Sequence, residues 1–401
     1  MSIVQNIKKT INYSKKNGYK EAALAAWERM TARYYADYTY ETPKEEELKR
    51  QREDRTLEPI SFSLIVPAFE THRNHLTDLI ESCLAQTYGN WELILADGSE
   101  TQEVSAVMSQ YEDSRIHYVR LQENGGISEN TNQALAYATG DYCGLVDHDD
   151  ILTPDALYEM ARAITEAVSE GKEKPVLLYS DEDKCDAQGN HFYDPHIKQD
   201  FNLDLLLTNN YICHLCVVET AWIQKLQIRR QYDGAQDYDL ILRLSEKAKK
   251  IYHIPKVLYY WRGHSGSTAK DMSAKSYAFE AGRKAVAAHL ERVGLKGKVS
   301  IQKYNGSYRT RYEISGNPLV SIIIPNKDHI DDLSRCINSI FSKGGWDNIE
   351  VIVVENNSRD KRTFDYYDKI TAENPKVKIA YYKGDFNFSA ICNFGFESAR
   401  G

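Results

Sequence analysis

The segment SFSLIVP (residues 61–67) decides the fold of this chain, because a short, mostly apolar run that ends in proline is typical of a buried strand. Residues 75–86 follow with helical periodicity, and a second buried strand at residues 91–96 ends in the turn Asp97-Gly98-Ser99. Strands that alternate with helices indicate a parallel sheet with right-handed crossovers. The sequence therefore predicts an α/β fold with a mostly parallel sheet flanked by helices.

The same alternation continues to a cluster of acidic residues. A strand, a helix and a further strand are predicted over residues 116–146, and the last strand runs into DHDD (residues 147–150). In open parallel sheets, ligands bind beyond the carboxyl ends of the strands. Pro67, Asp97 and Asp147 all lie at such ends, so we expect a ligand site there.

The acidic cluster allows two interpretations. Crowded carboxylates repel one another, which is costly unless a cation or several donors neutralise them. Hard oxygen ligands favour Mg²⁺ or Mn²⁺, and these ions commonly hold substrate phosphates. The alternative is an acidic turn that caps the helix predicted to start near Thr153-Pro154-Asp155. Taken alone, the cluster favours neither.

Three segments of the first half recur about 258 residues later. Residues 319–325 are similar to the first strand, and residues 336–341 are similar to the end of the helix predicted at residues 75–86. Residues 349–358 are similar to the second strand and the turn that follows it. This spacing is far longer than that of solenoid repeats and indicates a duplicated domain. Residues 388–401 match residues 127–140, where the second copy stops one residue before its own acidic strand. Since an unpaired apolar sheet edge would remain, we predict that this end is a fragment boundary.

Composition limits the class of protein. The 401 residues have room for two or three domains, and 42% hydrophobic content is enough for substantial cores. A net charge of -8 argues against nucleic acid as the main partner. Seven cysteines, an odd number mostly in apolar runs, suggest reduced thiols in a cytoplasmic protein. Neither a signal peptide nor an apolar run long enough to span a membrane is present.

The organisation that we predict has three parts. Residues 1–58 form a helical segment and a charged linker, residues 59–300 a complete domain, and residues 301–401 the first half of a second domain. The first 20 residues carry five lysines and no acid on a helix-like pattern. They could touch the anionic inner face of a cell membrane peripherally, or pack on a neighbouring element.

One short motif suggests zinc. Cys213-His214-Leu215-Cys216 is similar to half of a zinc site, but no second half follows at metal spacing. Because these residues lie in a strand-like run, packing in the core is the favoured interpretation.

Six segments, in this order and spacing, resemble the family-2 glycosyltransferases with a GT-A fold. They are IVPAFE (65–70), LADGS (95–99), the run from ENGG to DHDD (123–150), YSDEDK (179–184), GAQDYDLILRL (234–244) and YYWRGHSGSTA (259–269). The resemblance is strongest to bacterial enzymes that build cell-surface polysaccharides, including rhamnosyltransferases. It covers residues 62–270, and from residue 319 a truncated second glycosyltransferase domain.

The resemblance implies a nucleotide-sugar donor and its binding residues. Those residues are Pro67, Ala68, Glu70, Asp97, Gly98, Asn124, Gly126, Asn132, Asp147 and Arg262. Asp97 would accept the N3–H of a uracil or thymine ring, although Asp97-Gly98-Ser99 could be a plain turn. Many members place an Arg-Asn pair where this chain has Thr131-Asn132, and Arg262 is a candidate replacement for the missing arginine.

Metal ligands are implied at Asp149, Asp147 and His264, with Mn²⁺ or Mg²⁺ as the ion. Asp149 matches the direct ligand, whereas Asp147 would face ribose or a metal-bound water. His148 between them would point to the opposite face and be structural. His264 would meet the metal or the diphosphate, with packing an equal alternative.

The reaction implied is inverting transfer of a sugar to a hydroxyl of a glycan or lipid-linked acceptor, which needs a base. Asp237 occupies the base position; the alternatives are that it only caps a helix, or that Asp239 is the base. Three acids would contact the donor sugar or the acceptor, or else form a solvated loop: Asp181, Glu182 and Asp183. Trp261 could stack on a sugar ring or lie in the core.

Two rival functions remain at this point. An inactive domain of this kind could serve as a scaffold that binds a glycan or nucleotide, although the intact carboxylates argue against it. A nucleotidyltransferase has a related fold, but such enzymes usually carry a basic, glycine-rich signature after the first strand, and PAFE (67–70) lacks one.

Overall fold

A computed structural model describes residues 43–247, 250–263, 276–303 and 306–401. The helices predicted within residues 1–33, and most of the predicted segment 1–58, lie outside the described residues. The charged linker contains helix α1 (Glu45–Glu53), in which Leu48 and Gln51 are buried. Within the described part of the chain, no helix is long and apolar enough to cross a membrane.

The described residues up to Tyr312 form one compact unit. The main strands of this unit are, in chain order, β1 (Phe62–Ala68), β2 (Trp91–Asp97), β3 (Ile116–Arg120), β4 (Tyr142–Leu145), β5 (Ile151–Leu152), β6 (Leu177–Asp186), β7 (Phe192–His196), β8 (Cys216–Glu219) and β9 (Ile251–Gly263). Its helices after α1 are α2 (Arg73–Leu84), α3 (Glu103–Met108), α4 (Ile127–Leu135), α5 (Ala156–Ser169), α6 (Leu203–Leu206), α7 (Thr220–Leu226), α8 (Gln236–Ser245) and α9 (Ser276–Arg292), with a 3₁₀ turn at Arg230–Tyr232.

These nine strands form one sheet in the order β3-β2-β1-β4-β8-β6-β9-β5, with β7 paired to β6. Strands β3, β2, β1 and β4 run parallel, β8 runs antiparallel to β4 and β6, and β9 runs parallel to β6. The predicted α/β class with a mostly parallel sheet is confirmed. The direction in which strands are added reverses between β1 and β4, and open α/β sheets bind ligands at such a crevice.

Apolar side chains cover both faces of the sheet because successive strand residues point to opposite sides. In β1, Ile65 packs on the face covered by α4, α8 and α9, and Leu64 packs on the face covered by α2 and α5. Both side chains are fully buried. The sheet is therefore the middle layer of three, and its carboxyl edge carries the acidic residues.

The first unit ends at Tyr312, and not at residue 300 as predicted. The reason is a hairpin in which β10 (Gly297–Ile301) pairs antiparallel with β11 (Tyr308–Tyr312). The Tyr308 ring stacks on Tyr238 at 5.9 Å, and its backbone N–H donates to the carbonyl of Thr208 at 2.7 Å. These contacts hold the hairpin against α8.

Residues Glu313–Gly401 form a second compact unit. The elements of this unit are, in chain order, β12 (Val320–Asn326), α10 (Ile330–Lys343), β13 (Ile349–Glu355), α11 (Lys361–Glu373), β14 (Val377–Tyr381) and α12 (Phe388–Glu397). Its strands run parallel in the order β12-β13-β14, which repeats the β1-β2-β3 arrangement of the first unit. The strands and helices predicted from the internal repeat are confirmed.

Candidate active site

A cavity of about 820 Å³ lies beside the carboxyl ends of β1 and β4. Its lining brings together five predicted site residues from distant parts of the chain: Pro67, Asp147, Glu182, Asp237 and Trp261. We call it the main cavity. Its volume lies in the range of pockets that bind cofactors and small molecules.

Asp147 follows β4, and its side chain is 41% exposed to the main cavity. Burial has the largest effect on the pKa of Asp147 and raises it; His214 lowers this pKa, and the Asp149 carboxylate raises it again. The Nε2 atom of His214 lies 3.7 Å from Oδ2 of Asp147. Among the described residues, Asp147 thus has an imidazole but no guanidinium or ammonium group against its carboxylate.

Asp237 lies in the first turn of α8, where Ala235 occupies the N-cap position and no side chain caps the helix. The alternative that Asp237 only caps this helix is therefore wrong. Its Oδ2 accepts a hydrogen bond from Nδ2 of Asn210 at 2.8 Å. The side chain is half-buried, lines the main cavity, and carries its negative charge where the helix dipole favours one.

Asp239, the rival for the base, is fully buried and does not line the main cavity. Its carboxylate accepts hydrogen bonds from Nε of Arg229 and Nε of Arg243, each at 2.9 Å. A carboxylate held between two guanidinium groups has its oxygens engaged and is not free to meet an acceptor. The structure therefore favours Asp237 over Asp239.

Asp149 lines a different cavity, of about 620 Å³, together with His148 and Glu70. Nδ1 of His148 is buried there and has no hydrogen-bond partner. Asp147 and Asp149, which both belong to the acidic loop (residues 147–150), therefore line different cavities. Among the described residues, no three His, Cys, Asp or Glu side chains are grouped to hold a metal ion, and the predicted ligand His264 lies outside the described residues.

The acidic loop is anchored through Asp150. Its Oδ2 accepts from the hydroxyl of Tyr259 at 2.5 Å, and its Oδ1 accepts from the backbone N–H of Arg262 at 2.7 Å. Burial, together with the neighbouring carboxylates Asp149 and Asp147, raises the pKa of Asp150 well above its usual range. Asp150 thus ties the loop to β9.

Arg262 does not take the role that its position suggested. The side chain is fully buried and donates to the carbonyl of Asp149 at 2.6 Å, the carbonyl of Ala187 at 2.9 Å and Oδ2 of Asp78 at 2.8 Å. With Nε, Nη1 and Nη2 all engaged, the guanidinium has no face toward a diphosphate. The prediction of a diphosphate contact is corrected to a positioning role for the acidic loop.

We expect Arg262→Ala to lower the free energy of unfolding by about 2–3 kcal/mol, because two buried carbonyls lose their donor and the guanidinium leaves a void. Thermal unfolding of the full chain measures this, with Arg335→Ala, an exposed arginine of the second unit, as the control. Unchanged stability combined with lost nucleotide binding would restore the original prediction.

Asp97, predicted to bind the nucleoside base, is fully buried. Its carboxylate accepts from the backbone N–H of Ser99 at 2.9 Å, the hydroxyl of Tyr118 at 2.7 Å and Nη1 of Arg120 at 2.6 Å. These bonds hold the turn after β2 against the end of β3. The structure thus shows Asp97 as a buried anchor of the predicted nucleoside site and not as an open acceptor.

Glu70 also holds a loop. Its carboxylate accepts from the backbone N–H groups of Glu100 and Thr101 and from the hydroxyl of Thr101. These hydrogen bonds, that of the Thr101 hydroxyl first, lower the pKa of Glu70. Of its neighbours in the motif, Pro67 lines the main cavity, whereas the side chain of Ala68 is fully buried in β1.

The loop that carries the predicted donor-binding residues Asn124 and Gly126 is closely packed. Oδ1 of Asn124 accepts from the backbone N–H of Gly126 at 3.0 Å, and Gly126 has a φ of +89°, which favours glycine. A Cβ on Gly98 would lie 2.9 Å from Nδ2 of Asn130, so a larger residue here would require the Asn130 amide to shift. Asn132 is corrected to a structural residue, because its amide bonds the N–H and the carbonyl of Ile228 at 2.8 Å each.

The acids of β6 form neither a solvated loop nor a common sugar site. Asp181, Glu182 and Asp183 are all buried in the strand, and of the three only Glu182 lines the main cavity. Asp181 Oδ1 accepts from the backbone N–H of Lys198 and lies 2.8 Å from Nε2 of His253. The prediction for Asp181 is therefore corrected to a structural role, and Asp183 is buried in β6 away from the main cavity.

The sequence interpretation missed residues 209–214. Asn209, Asn210, Cys213 and His214 all line the main cavity, whereas Cys213 and His214 were predicted to lie in the core. The His214 ring stacks on Tyr259 at 5.0 Å. The zinc-like spacing of the motif was the only signal there, and it gave no hint that His214 meets Asp147.

Two segments of the chain, residues 63–169 and 321–401, match the model of Glycosyl transferase family 2. The chain is 40% identical over 347 residues to the uncharacterized protein y4gI of Sinorhizobium fredii, covering 85% of this chain and 38% of that protein. It is 33% identical over 344 residues to the O-antigen biosynthesis protein RfbC of Myxococcus xanthus, covering 85% and 26% respectively. The chain thus spans less than half the length of each relative.

Among solved structures, S. aureus TarS 1–349 in complex with UDP-GlcNAc has a TM-score of 0.46 and 20% identity, covering 58% of this chain and 66% of that one. The two segments matched by the family model lie one in each compact unit. Each begins in the first strand of its sheet, at Ser63 in β1 and Ser321 in β12. By the family-model match in both units and the 33% identity to RfbC over 85% of this chain, the chain belongs to glycosyltransferase family 2, with one segment of that family in each of its two units.

Proposed function

We propose that the first unit is an inverting glycosyltransferase that moves a sugar from a UDP- or dTDP-sugar to a hydroxyl of a growing cell-surface glycan. The observation that carries the proposal is that Asp147, at the end of β4, and Asp237, in the first turn of α8, line one cavity. Family membership supports the same reaction class.

Asp237 is suited to act as the base. Its carboxylate reaches the main cavity, is held by Asn210 and has no guanidinium or ammonium partner among the described residues that line this cavity. In an inverting displacement the base takes the proton of the acceptor hydroxyl while that oxygen bonds to the anomeric carbon of the sugar. The bond from that carbon to the diphosphate breaks, and the nucleoside diphosphate leaves with the electron pair.

The charge of the main cavity supports a divalent cation. The described part of its lining holds the carboxylates of Asp147, Glu182, Asp233 and Asp237 but no lysine or arginine. A diphosphate would be repelled by the carboxylates of Asp147, Asp233 and Asp237 in this lining. Oxygen-rich sites of this kind fit Mn²⁺ or Mg²⁺.

We propose that Asp147, which lines the main cavity, holds this ion; Asp149, another ligand that the resemblance implies, lines the separate cavity of about 620 Å³ and is not brought to the same space in this structure. When bound, the cation would offset the negative charge that develops on the leaving diphosphate. The acidic loop that carries both residues is fixed by Asp150 and Arg262. Those two residues therefore position the carboxylates without touching the ligand.

The names of two relatives support a class of product. The O-antigen biosynthesis protein RfbC and a chondroitin synthase of Escherichia coli, 27% identical over 259 residues, are named for polysaccharide assembly. We infer that the acceptor is a glycan or a lipid-linked glycan, and that the protein works at the cytoplasmic face of the cell membrane, attached peripherally. Vesicle co-sedimentation of the full chain tests the attachment.

A thermal-shift panel of UDP-, dTDP- and GDP-sugars, with and without Mn²⁺, tests the proposal. We expect one donor to raise the melting temperature of the first unit by about 5 °C or more at saturating concentration, in the presence of the metal only. EDTA should abolish the shift. Stabilisation by no donor under any condition would contradict the assignment, and release of pyrophosphate in place of nucleoside diphosphate would favour a nucleotidyltransferase.

A further inference from the structure

Residues 209–214, which lie between α6 and β8, border the main cavity with unsatisfied polar atoms. Oδ1 of Asn209, Oδ1 of Asn210 and Nδ1 of His214 are buried and have no hydrogen-bond partner. All three side chains line the main cavity. A buried polar atom without a partner costs free energy that a ligand hydroxyl can recover. Three such atoms within six residues indicate a binding surface.

A buried ion pair holds this segment in place. The ammonium of Lys198 is fully buried and donates to the carbonyl of Ile212 at 2.9 Å and to the carbonyl of His214. The backbone N–H of His214 donates in turn to the carboxylate of Glu182, which lies 3.4 Å from the Lys198 ammonium. Lys198 and Glu182 therefore hold the backbone of the segment in place before a ligand binds. This lowers the conformational entropy that binding would cost.

The same segment touches the proposed base. Nδ2 of Asn210 donates to Oδ2 of Asp237. The Oδ1 atom of the same amide group therefore lies near the Asp237 carboxylate. A saccharide hydroxyl bonded to Asn210 Oδ1 would thus hold its neighbouring hydroxyl next to the Asp237 carboxylate, which takes the proton of that neighbour. Amide oxygens accept hydrogen bonds, and a saccharide hydroxyl is a natural donor to them.

Aromatic side chains complete the surface. Trp261, Tyr277 and Phe279 also line the main cavity, and the Trp261 ring lies 6.3 Å from the ring of His214 in an edge-to-face arrangement. Flat apolar faces beside hydrogen-bond acceptors suit a sugar ring, which has apolar C–H faces and a polar rim. The arrangement suits a saccharide better than a peptide hydroxyl or a simple alcohol, because only a ring offers both features at once.

We propose that residues 209–214 form the acceptor subsite and that it takes a saccharide with two neighbouring hydroxyl groups. The attacking hydroxyl donates to Asp237, which Asn210 positions, while Oδ1 of Asn210 and Oδ1 of Asn209 accept from hydroxyl groups beside it. The attacking oxygen bonds to the anomeric carbon, its proton passes to Asp237, and the nucleoside diphosphate leaves. This inference rests on the proposed function, since it assigns the acceptor side of the same reaction.

The test measures nucleoside diphosphate release from the donor found in the thermal-shift panel, first in water alone and then with a series of methyl glycosides as acceptors. We expect Asn209→Ala to raise the acceptor KM about fivefold, an effect larger than any change in donor hydrolysis. Asn210→Ala should raise KM similarly and also lower kcat about tenfold, because the base loses its positioning bond. Thr208→Ala is the matched control, since the Thr208 hydroxyl bonds the carbonyl of Leu205 and does not line the cavity.

The outcomes separate this inference from the proposed function. If the wild type consumes no donor, the proposed function fails. If the wild type is active and Asn209→Ala and Asn210→Ala keep the wild-type acceptor KM, or weaken donor hydrolysis equally, the acceptor subsite is overturned. Should either alanine variant fail to fold, Asn209→Ser and Asn210→Ser carry the same expectation for KM.

Discussion

Asp237→Asn should lower sugar transfer about 10³-fold, because asparagine keeps the size of the side chain but cannot take the proton of the acceptor hydroxyl. The helix that carries it should be undisturbed, since Asp237 does not cap α8 and the Asn210 amide can donate to the new carbonyl oxygen. Donor binding should persist. The loss therefore belongs to kcat and not to the donor KM.

The measurement is single-turnover transfer at saturating donor, with the donor affinity taken from thermal shift. Asp204→Asn is a suitable control, because Asp204 is an exposed carboxylate in the first turn of α6 and lies outside the cavity lining. A variant with wild-type rates would exclude Asp237 as the base. Since Asp239 is bound by Arg229 and Arg243, the catalytic group would then have to lie elsewhere.

The sequence predicted the layers of this molecule well because its strands and helices have strong periodic signals. Residues 116–120 were predicted as a strand and form β3, and the repeat at residues 349–355 forms β13. Such elements depend on local patterns and need no knowledge of distant partners. The boundary at Tyr312 was missed because the β10–β11 hairpin joins the first unit through Tyr308, a contact that no local pattern reports.

The motifs of the site could be predicted from the sequence, but the directions in which their side chains point could not. Asp147 and Asp237 do meet in one cavity, as the order of the motifs implied. Arg262 was placed at the diphosphate because it is basic, yet Asp78, far away in the sequence, and the backbone of Asp149 turn it inward. A single sequence shows which charges exist, whereas their partners depend on tertiary contacts.

Lys198→Met should lower the free energy of unfolding of the first unit by about 3–5 kcal/mol, because it leaves the buried Glu182 carboxylate without its cation. The carbonyls of Ile212 and His214 lose a donor in the same substitution. Burial alone would raise the pKa of Glu182, but Lys198, followed by His196 and His214, outweighs burial and holds that pKa below its usual value. Urea unfolding of the full chain, followed in the first unit, measures the loss.

The double variant Lys198→Met with Glu182→Gln should recover part of that stability, since no buried charge remains unpaired. Glu182 has a lower pKa in the folded state than in the unfolded state, so its stabilising effect is complete above the unfolded value and is lost as the pH falls through the folded value. The advantage of the wild type over the double variant should therefore shrink on acidification below the usual glutamate pKa. If the two substitutions simply add, and the difference is the same at every pH, Lys198 and Glu182 do not act as a pair, and the rigidity inferred for residues 209–214 would have to come from other contacts.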